Sequence, residues 1–247
     1  MSAPLRICTW SGPRNVSTAL MRSFEARGDC AVVDEPLYAA FLAATGKLHP
    51  GREEILAVQP QDPGDALRVL REARPGTPLQ YEKHMAHHWQ PGWDWAAVGP
   101  ARHVLLIRSP ARVVASYARV REDPLPEDLG LDQQVALLAH LGGDAVVVDG
   151  DALLADPPGE LRALCEALGI GFTERMLRWP AGRRATDGVW APHWYARVEA
   201  STGFAAPEPP AEVPARLQWL VAALQPPTSA SPRRERGDAN ASGAFAS

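Results

Sequence analysis

Three groups of residues have the types and spacing to do chemistry. The first is Ser11-Gly12-Pro13-Arg14-Asn15-Val16-Ser17-Thr18. A glycine-containing turn that runs into a helix start presents backbone N–H groups without helical partners, and the helix dipole favours negative charge there. Arg14 adds a planar guanidinium, and Ser17 and Thr18 add hydroxyl donors. The pattern suits a phosphate or a similar anion. It is not the triphosphate loop G-x-x-x-x-G-K-[ST], because Val16 stands where that lysine would precede the hydroxyl residue. Taken alone, the stretch also reads as an ordinary βα turn. The second group is Arg108 and Ser116, eight residues apart in IRSPARVVASY. Arginine can grip an anion bidentately and serine can donate a single bond to it. The third group handles protons: the pair Asp34-Glu35, then Lys83-His84, then His87 and His88. The H-x-x-H-H spacing lacks the glutamate of a helical H-E-x-x-H zinc site and has no cysteine beside it. No metal site is expected, and one histidine as a general base suits the cluster better. Asp34 and Glu35, each taken singly, read as solvated loop acids.

Apolar runs supply the elements that must hold these groups. Leu5 to Trp10, Cys30 to Asp34, Pro78 to Lys83, His103 to Arg108 and Ala145 to Asp149 read as strands. Helices follow the first, fourth and fifth. The first is expected to be capped by Ser17 or Thr18, and the next has Ser109 as N-cap and Pro110 at its first position. Further helices are expected over Asp65–Ala73, Leu131–Leu141, Gly159–Leu168 and Leu217–Leu224, whereas Phe41 to Leu56 reads as irregular or weakly helical. The third strand is expected to deliver His84 and its neighbours just past its end. Trp89, Trp93 and Trp95 read as packing residues. Alternation of apolar strands with helices implies an α/β fold: one three-layer domain with a central parallel sheet and a P-loop-like phosphate loop. The domain is expected over residues 1–224, with residues 225–247, rich in Pro, Ser, Gly, Ala and Arg, as a disordered tail. A Gly- and Arg-rich stretch, Gly182 to Trp190, reads either as a surface loop or as a flap over a nucleotide.

A chain of 247 residues that is 46% hydrophobic has enough material for one sizeable core. A net charge of −4 argues against a general nucleic-acid binder. Three cysteines, widely separated, form neither a disulfide framework nor a metal spacing, so a reducing compartment is the default. No apolar run is long enough to cross a bilayer, and the start carries no leader pattern. The expectation is a cytoplasmic protein without integral membrane contact.

In this order the pieces resemble the sulfotransferase family that uses 3′-phosphoadenosine 5′-phosphosulfate (PAPS). Ser11 to Leu20 looks like the family's 5′-phosphosulfate loop. The resemblance assigns cofactor contacts to Gly12, Pro13, Arg14, Asn15, Val16, Ser17 and Thr18, with Val16 in the place usually held by glycine. Arg108 and Ser116 match the strand-end arginine and helical serine that bind the nucleotide's 3′-phosphate. Val148 to Ile170 is similar to the family's segment before its late helix, and Glu35-Pro36-Leu37-Tyr38 to a run in bacterial members. The family's Arg-Lys-Gly loop is absent in that form, and Arg183, Arg184 and Gly188 are its nearest substitute. The resemblance implies sulfuryl transfer from PAPS to a hydroxyl or amine of a small-molecule, glycan or lipid acceptor. It implies that Arg14 and Lys83 stabilise charge, with either His84 or Glu35 as the base. The usual Lys-x-His is offset here by one residue. Two other readings share the fold: a P-loop nucleotide phosphotransferase, and a non-catalytic nucleotide-binding module. Acceptor choice is expected to lie in residues 41–74 and near residues 124–126.

Overall fold

A computed structural model describes residues 3–73, 75–119, 125–206, 209 and 212–224. The expected tail at residues 225–247 lies outside them, as do Arg74 and Pro124. Five strands form one all-parallel sheet: β1 (Leu5–Ser11), β2 (Cys30–Asp34), β3 (Leu79–Met85), β4 (Arg102–Ile107) and β5 (Ala145–Asp149). Their spatial order is β2-β3-β1-β4-β5. From central β1 the chain crosses to the edge strand β2, fills in β3 between them, and then builds outward on the other side through β4 and β5, so the crevice at the carboxyl ends opens beside β1, where open α/β sheets bind ligands. Register brings the chemistry to one edge. Ser11 pairs with Met85 and Leu106, Asp34 with Lys83, and Ile107 with Asp149.

Helices cover both faces, in chain order α1 (Ser17–Ala26), α2 (Tyr38–Thr45), α3 (Arg52–Val58), α4 (Pro63–Glu72), α5 (Pro110–Tyr117), α6 (Pro126–Leu129), α7 (Leu131–Leu141), α8 (Gly150–Ala155) and α9 (Pro157–Ala167). Three short ones follow, α10 (Ala191–Trp194), α11 (Ala196–Glu199) and α12 (Gln218–Ala223). Alternate strand residues enter opposite cores. Ile7, Tyr81, Val104 and Leu106 pack with Leu20, Phe24, Leu161 and Leu164 of α1 and α9. Cys8, Trp10 and Leu105 pack with Leu67, Leu70 and Leu137 of α4 and α7. Each fully buried side chain of this size stabilises the fold by about 1.5–3 kcal/mol. Trp89, Trp93 and Trp95 join the second core as packing residues. Among the described residues no helix is long and apolar enough to cross a membrane.

Three local expectations are corrected. Residues 41–56, read as irregular or weakly helical, carry most of α2 and part of α3 as regular helix. The α2 sequence YAAFLAAT is apolar all round because Tyr38 to Leu42 are all buried, so it shows no amphipathic period. The cap of α1 is not Ser17 or Thr18 but Val16, in the left-handed conformation with φ 54°. β3 runs through His84 and Met85 instead of ending before them, which decides where His84 points.

Candidate functional site

At the carboxyl edge of the sheet lies a cavity of about 340 Å³. Its floor is the loop between β1 and α1, from Pro13 to Thr18. Leu20 is the first residue to donate back to the Val16 carbonyl, so the N–H groups of Ser17, Thr18 and Ala19 have no helical acceptor. Those three residues line the cavity, and the positive end of α1 therefore opens into it. Asn15 fastens the loop from beneath, donating Nδ2 to the Leu106 carbonyl at 2.9 Å. Gly12 does not line the cavity, but a Cβ there would stand 2.6 Å from the Leu129 carbonyl oxygen. Only glycine allows the loop this close to the end of α6.

Arg14 and Ser116 meet: Nε donates to the serine Oγ at 2.9 Å. Arg108, one residue past β4, donates Nε to Asp151 at 2.9 Å and Nη1 to the Arg14 carbonyl at 3.1 Å. Arg108 and Ser116 thus face the same cavity as the loop. The second arginine site is held by a carboxylate from the N-terminal turn of α8, joined by Arg112 at 3.3 Å.

The opposite part of the cavity is formed by Glu35 and Lys83. Neither acid of the Asp34-Glu35 pair is a solvated loop residue. They are 5% and 7% exposed, and the Lys83 Nζ donates to Asp34 at 3.0 Å and to Glu35 at 2.5 Å. Glu35 itself has φ 41°. Burial raises its pKa above the ordinary carboxylate value, and Asp34 raises it further, while Lys83 opposes both. Burial also works against the Lys83 ammonium, but Asp34 and Glu35 outweigh it and hold the amine charged, its pKa well above the ordinary value. His88, which lines the same wall, stands 3.9 Å from Glu35 Oε2 and packs against the rings of Tyr38 and Phe41. Burial lowers its pKa well below the ordinary value, so its ring is neutral at pH 7.

His84 is not brought to this site. In β3 it alternates with Lys83 and Met85, and the one-residue offset turns its ring to the opposite sheet face. There it stacks on Trp10 at 4.2 Å and bonds Glu82 at 3.1 Å. Met85 occupies the cavity-facing position instead. Glu82 also takes both arms of Arg6, at 2.6 and 2.8 Å, and a bond from Gln80 at 2.8 Å. Among the described residues, Cys8, Glu82 and His84 are the trio with metal-ligand atoms close together, within 4.8 Å. Their chemistry is already committed: Arg6 holds the carboxylate, and burial keeps the Cys8 thiol protonated.

Arg183, Arg184 and Gly188 do not line the cavity either. Their loop is anchored on the outside of α1, where Asp187 pairs with Arg22 at 2.5 Å and Thr186 donates to Glu25 at 2.6 Å. Arg184 lies 3.5 Å from Glu25. Gly188 contributes by its backbone, donating N–H to Asp34 at 3.2 Å. His87 and His88, named in the sequence cluster, line the cavity, and so does Tyr195, which the sequence patterns did not single out. Tyr195 reaches Asp34 from 161 residues away, and no local pattern marks it.

Residues 5–233 match the family described as sulfotransferase domain. Two relatives from Arabidopsis thaliana carry the names branched-chain-amino-acid aminotransferase-like protein 1 and 2. They are 39% identical over 211 residues and 36% identical over 205 residues. These alignments cover 84% and 82% of this chain but only 38% and 36% of the relatives. The chain therefore spans well under half the length of the curated relatives it matches. Among solved structures, the sulfotransferase domain from the curacin biosynthetic pathway aligns with a TM-score of 0.53 at 14% identity. The alignment covers 91% of this chain and 98% of that one, and at that identity the likeness is one of fold.

Proposed function

The chain belongs to the sulfotransferase domain family, and from that premise we propose that it moves a sulfuryl group from PAPS to a hydroxyl or amine of a small-molecule, glycan or lipid acceptor. The observation that carries this reading is a single cavity lined by two anion-gripping sets and by a buried carboxylate. PAPS is an extended anion with a phosphosulfate at one end and a 3′-phosphate at the other. In this reading the N–H groups of Ser17 and Thr18, their hydroxyls and Arg14 take the phosphosulfate oxygens, and Arg108 and Ser116 take the 3′-phosphate. Arg108 would exchange Asp151 for the phosphate. Sulfuryl transfer, like phosphoryl transfer, needs positioning and a fixed positive field more than covalent help. The loop, α1 and Arg14 supply that field.

Glu35 is the base in this reading. Its Oε1 is tied to Lys83, and Oε2 is the oxygen toward His88 and the acceptor's path. A carboxyl raised by burial is a stronger base than an exposed one while still ionised at its working pH. As the acceptor oxygen or nitrogen attacks sulfur, Glu35 takes its proton, and Lys83 and Asp34 keep the carboxylate fixed in direction.

The test is calorimetric titration with adenosine 3′,5′-bisphosphate, 5′-AMP and ATP·Mg²⁺, followed by PAPS turnover over an acceptor panel. Selective binding of the bisphosphate and PAPS-dependent turnover are expected. Glu35→Gln should keep the bisphosphate affinity and lose about 10²–10⁴ in turnover. Preference for ATP·Mg²⁺ would move the protein to phosphotransfer, and undiminished turnover by Glu35→Gln would remove Glu35 as base.

A further inference from the structure

Lys83 and Tyr195 share a bonding pattern with nothing left over. A lysine ammonium has three hydrogens. Those of Lys83 reach Asp34 at 3.0 Å, Glu35 at 2.5 Å and the Tyr195 hydroxyl at 2.8 Å. A tyrosine hydroxyl donates once and accepts twice. That of Tyr195 accepts from Lys83 and from Trp190 Nε1 at 3.2 Å, and its hydrogen goes to Asp34 at 2.7–2.8 Å. Glu35 Oε1, 3.4 Å away, is close but not its first partner. The tyrosine ring is fixed in its own apolar cluster with Tyr38, Phe41, Ile55 and Trp190. Its position is thus set by packing rather than by the charges it touches.

We propose that Tyr195 is a positioning residue for the transfer reaction: its hydroxyl takes the third hydrogen of Lys83 and occupies Asp34, so that the ammonium stays on Glu35. The argument rests on Glu35 being the base. It also alters the role of Lys83. With its three hydrogens held, the lysine acts on Glu35 and not directly on a sulfuryl oxygen. Without the tyrosine hydroxyl, Asp34 loses a donor and competes harder for Lys83, and the ammonium is drawn off Glu35. The groups that face Glu35 are Lys83 from β3, Asp34 from β2, Tyr195 from the α10–α11 segment, Tyr38 from α2 and His88 from the turn after β3. Of these, Lys83 is the cation that favours its ionised form.

The chain contains only two lysines, Lys47 and Lys83, which makes the reporter simple. The full chain is labelled with ¹⁵Nζ-lysine and ¹³Cδ-glutamate, and the Glu35 signal is assigned by its absence in Glu35→Gln. In the wild type, the Lys83 ammonium hydrogens should exchange with water at least about tenfold more slowly than those of Lys47, which is more open to solvent. In Tyr195→Phe, that exchange should accelerate and the Glu35 midpoint should rise by about half a pH unit or more. Equal exchange of the two lysines in the wild type overturns the proposal even if the variant does not fold. Unchanged exchange and midpoint in a folded Tyr195→Phe overturn it as well. If Glu35→Gln retains PAPS turnover, the base assignment fails while the lysine and glutamate signals still report on Tyr195, so the two failures are distinguishable.

Discussion

Replacing Glu82 by glutamine removes the one negative charge at the centre of the polar layer beneath the α4/α7 face. The carboxylate is fully buried and accepts both arms of Arg6, together with bonds from Gln80 and His84. In Glu82→Gln, Arg6 stays 5% exposed with the Val98 carbonyl as a remaining partner. Stranding one half of a buried ion pair costs about 3–5 kcal/mol. Protonation gives an independent figure. Burial raises the Glu82 pKa, but His84 and Arg6 outweigh burial and bring it down from 4.5 to about 2. At about 1.4 kcal/mol per pH unit, that difference is worth about 3 kcal/mol. Because the folded state holds this proton more weakly than the unfolded chain, the stabilisation is present in full above about pH 4.5 and is lost as the pH falls toward 2. Urea unfolding of wild type and Glu82→Gln at pH 7 and pH 3.5 reads both effects. The variant should be less stable by about 3 kcal/mol at pH 7. The gap should narrow by about 1.5 kcal/mol at pH 3.5. A gap under about 1 kcal/mol at pH 7, or one that does not narrow in acid, refutes the reasoning.

Arg108→Ala should weaken adenosine 3′,5′-bisphosphate binding by about 2–4 kcal/mol in calorimetry if the contact is bidentate; an unchanged affinity removes the 3′-phosphate assignment. Gly12→Ala drives a methyl to 2.6 Å from the Leu129 carbonyl, so unfolding should show a loss of about 1–3 kcal/mol together with weaker bisphosphate binding. A melting curve like the wild type's contradicts the close approach. His84→Phe keeps a ring against Trp10 and gives up the bond to Glu82. It should cost about 1–2 kcal/mol of stability and leave bisphosphate affinity and PAPS turnover unchanged, and a hundredfold loss of turnover would return His84 to the chemistry.

The parallel strands, and the β1–α1 loop and Arg108/Ser116 groups that line the cavity, were legible because each is written locally. An apolar run names a strand wherever both faces are buried, and a glycine turn before a helix names its own geometry. The long helices with one apolar face were legible for the same reason. α2 was legible only as irregular or weakly helical, because a helix apolar on every side carries no period to read. The end of the cavity at Glu35 and Lys83 was only half legible. Asp34 and Glu35 look like loop acids until Lys83 is seen between them, and that contact spans about fifty residues. Tyr195 closes the same cluster from far along the chain.

His84 and Val16 show how the site departs from what residue types alone suggest. In a strand, a shift of one residue is a change of face. The histidine next to Lys83 therefore serves the core, and the position two residues on, which faces the cavity, is Met85. At Val16 the residue departs from the glycine usual in the family's loop, and its backbone takes the left-handed conformation that glycine adopts most freely. Arg14, Val16 and Glu35 are the non-glycine residues with positive φ among the described residues, at 63°, 54° and 41°. All three line the cavity. Left-handed backbone at a non-glycine residue costs about 1–3 kcal/mol, most for a β-branched one. That cost is sustained only where the surroundings fix the chain. Val16 packs its side chain against the α1/α9 core, and Asn15 beside it is bonded to β4. The strain thus lies along the carboxyl edge of the sheet. There the loop turns its N–H groups toward the cavity and Glu35 turns its carboxylate toward Lys83. Relaxing either backbone would turn those groups away from the cavity.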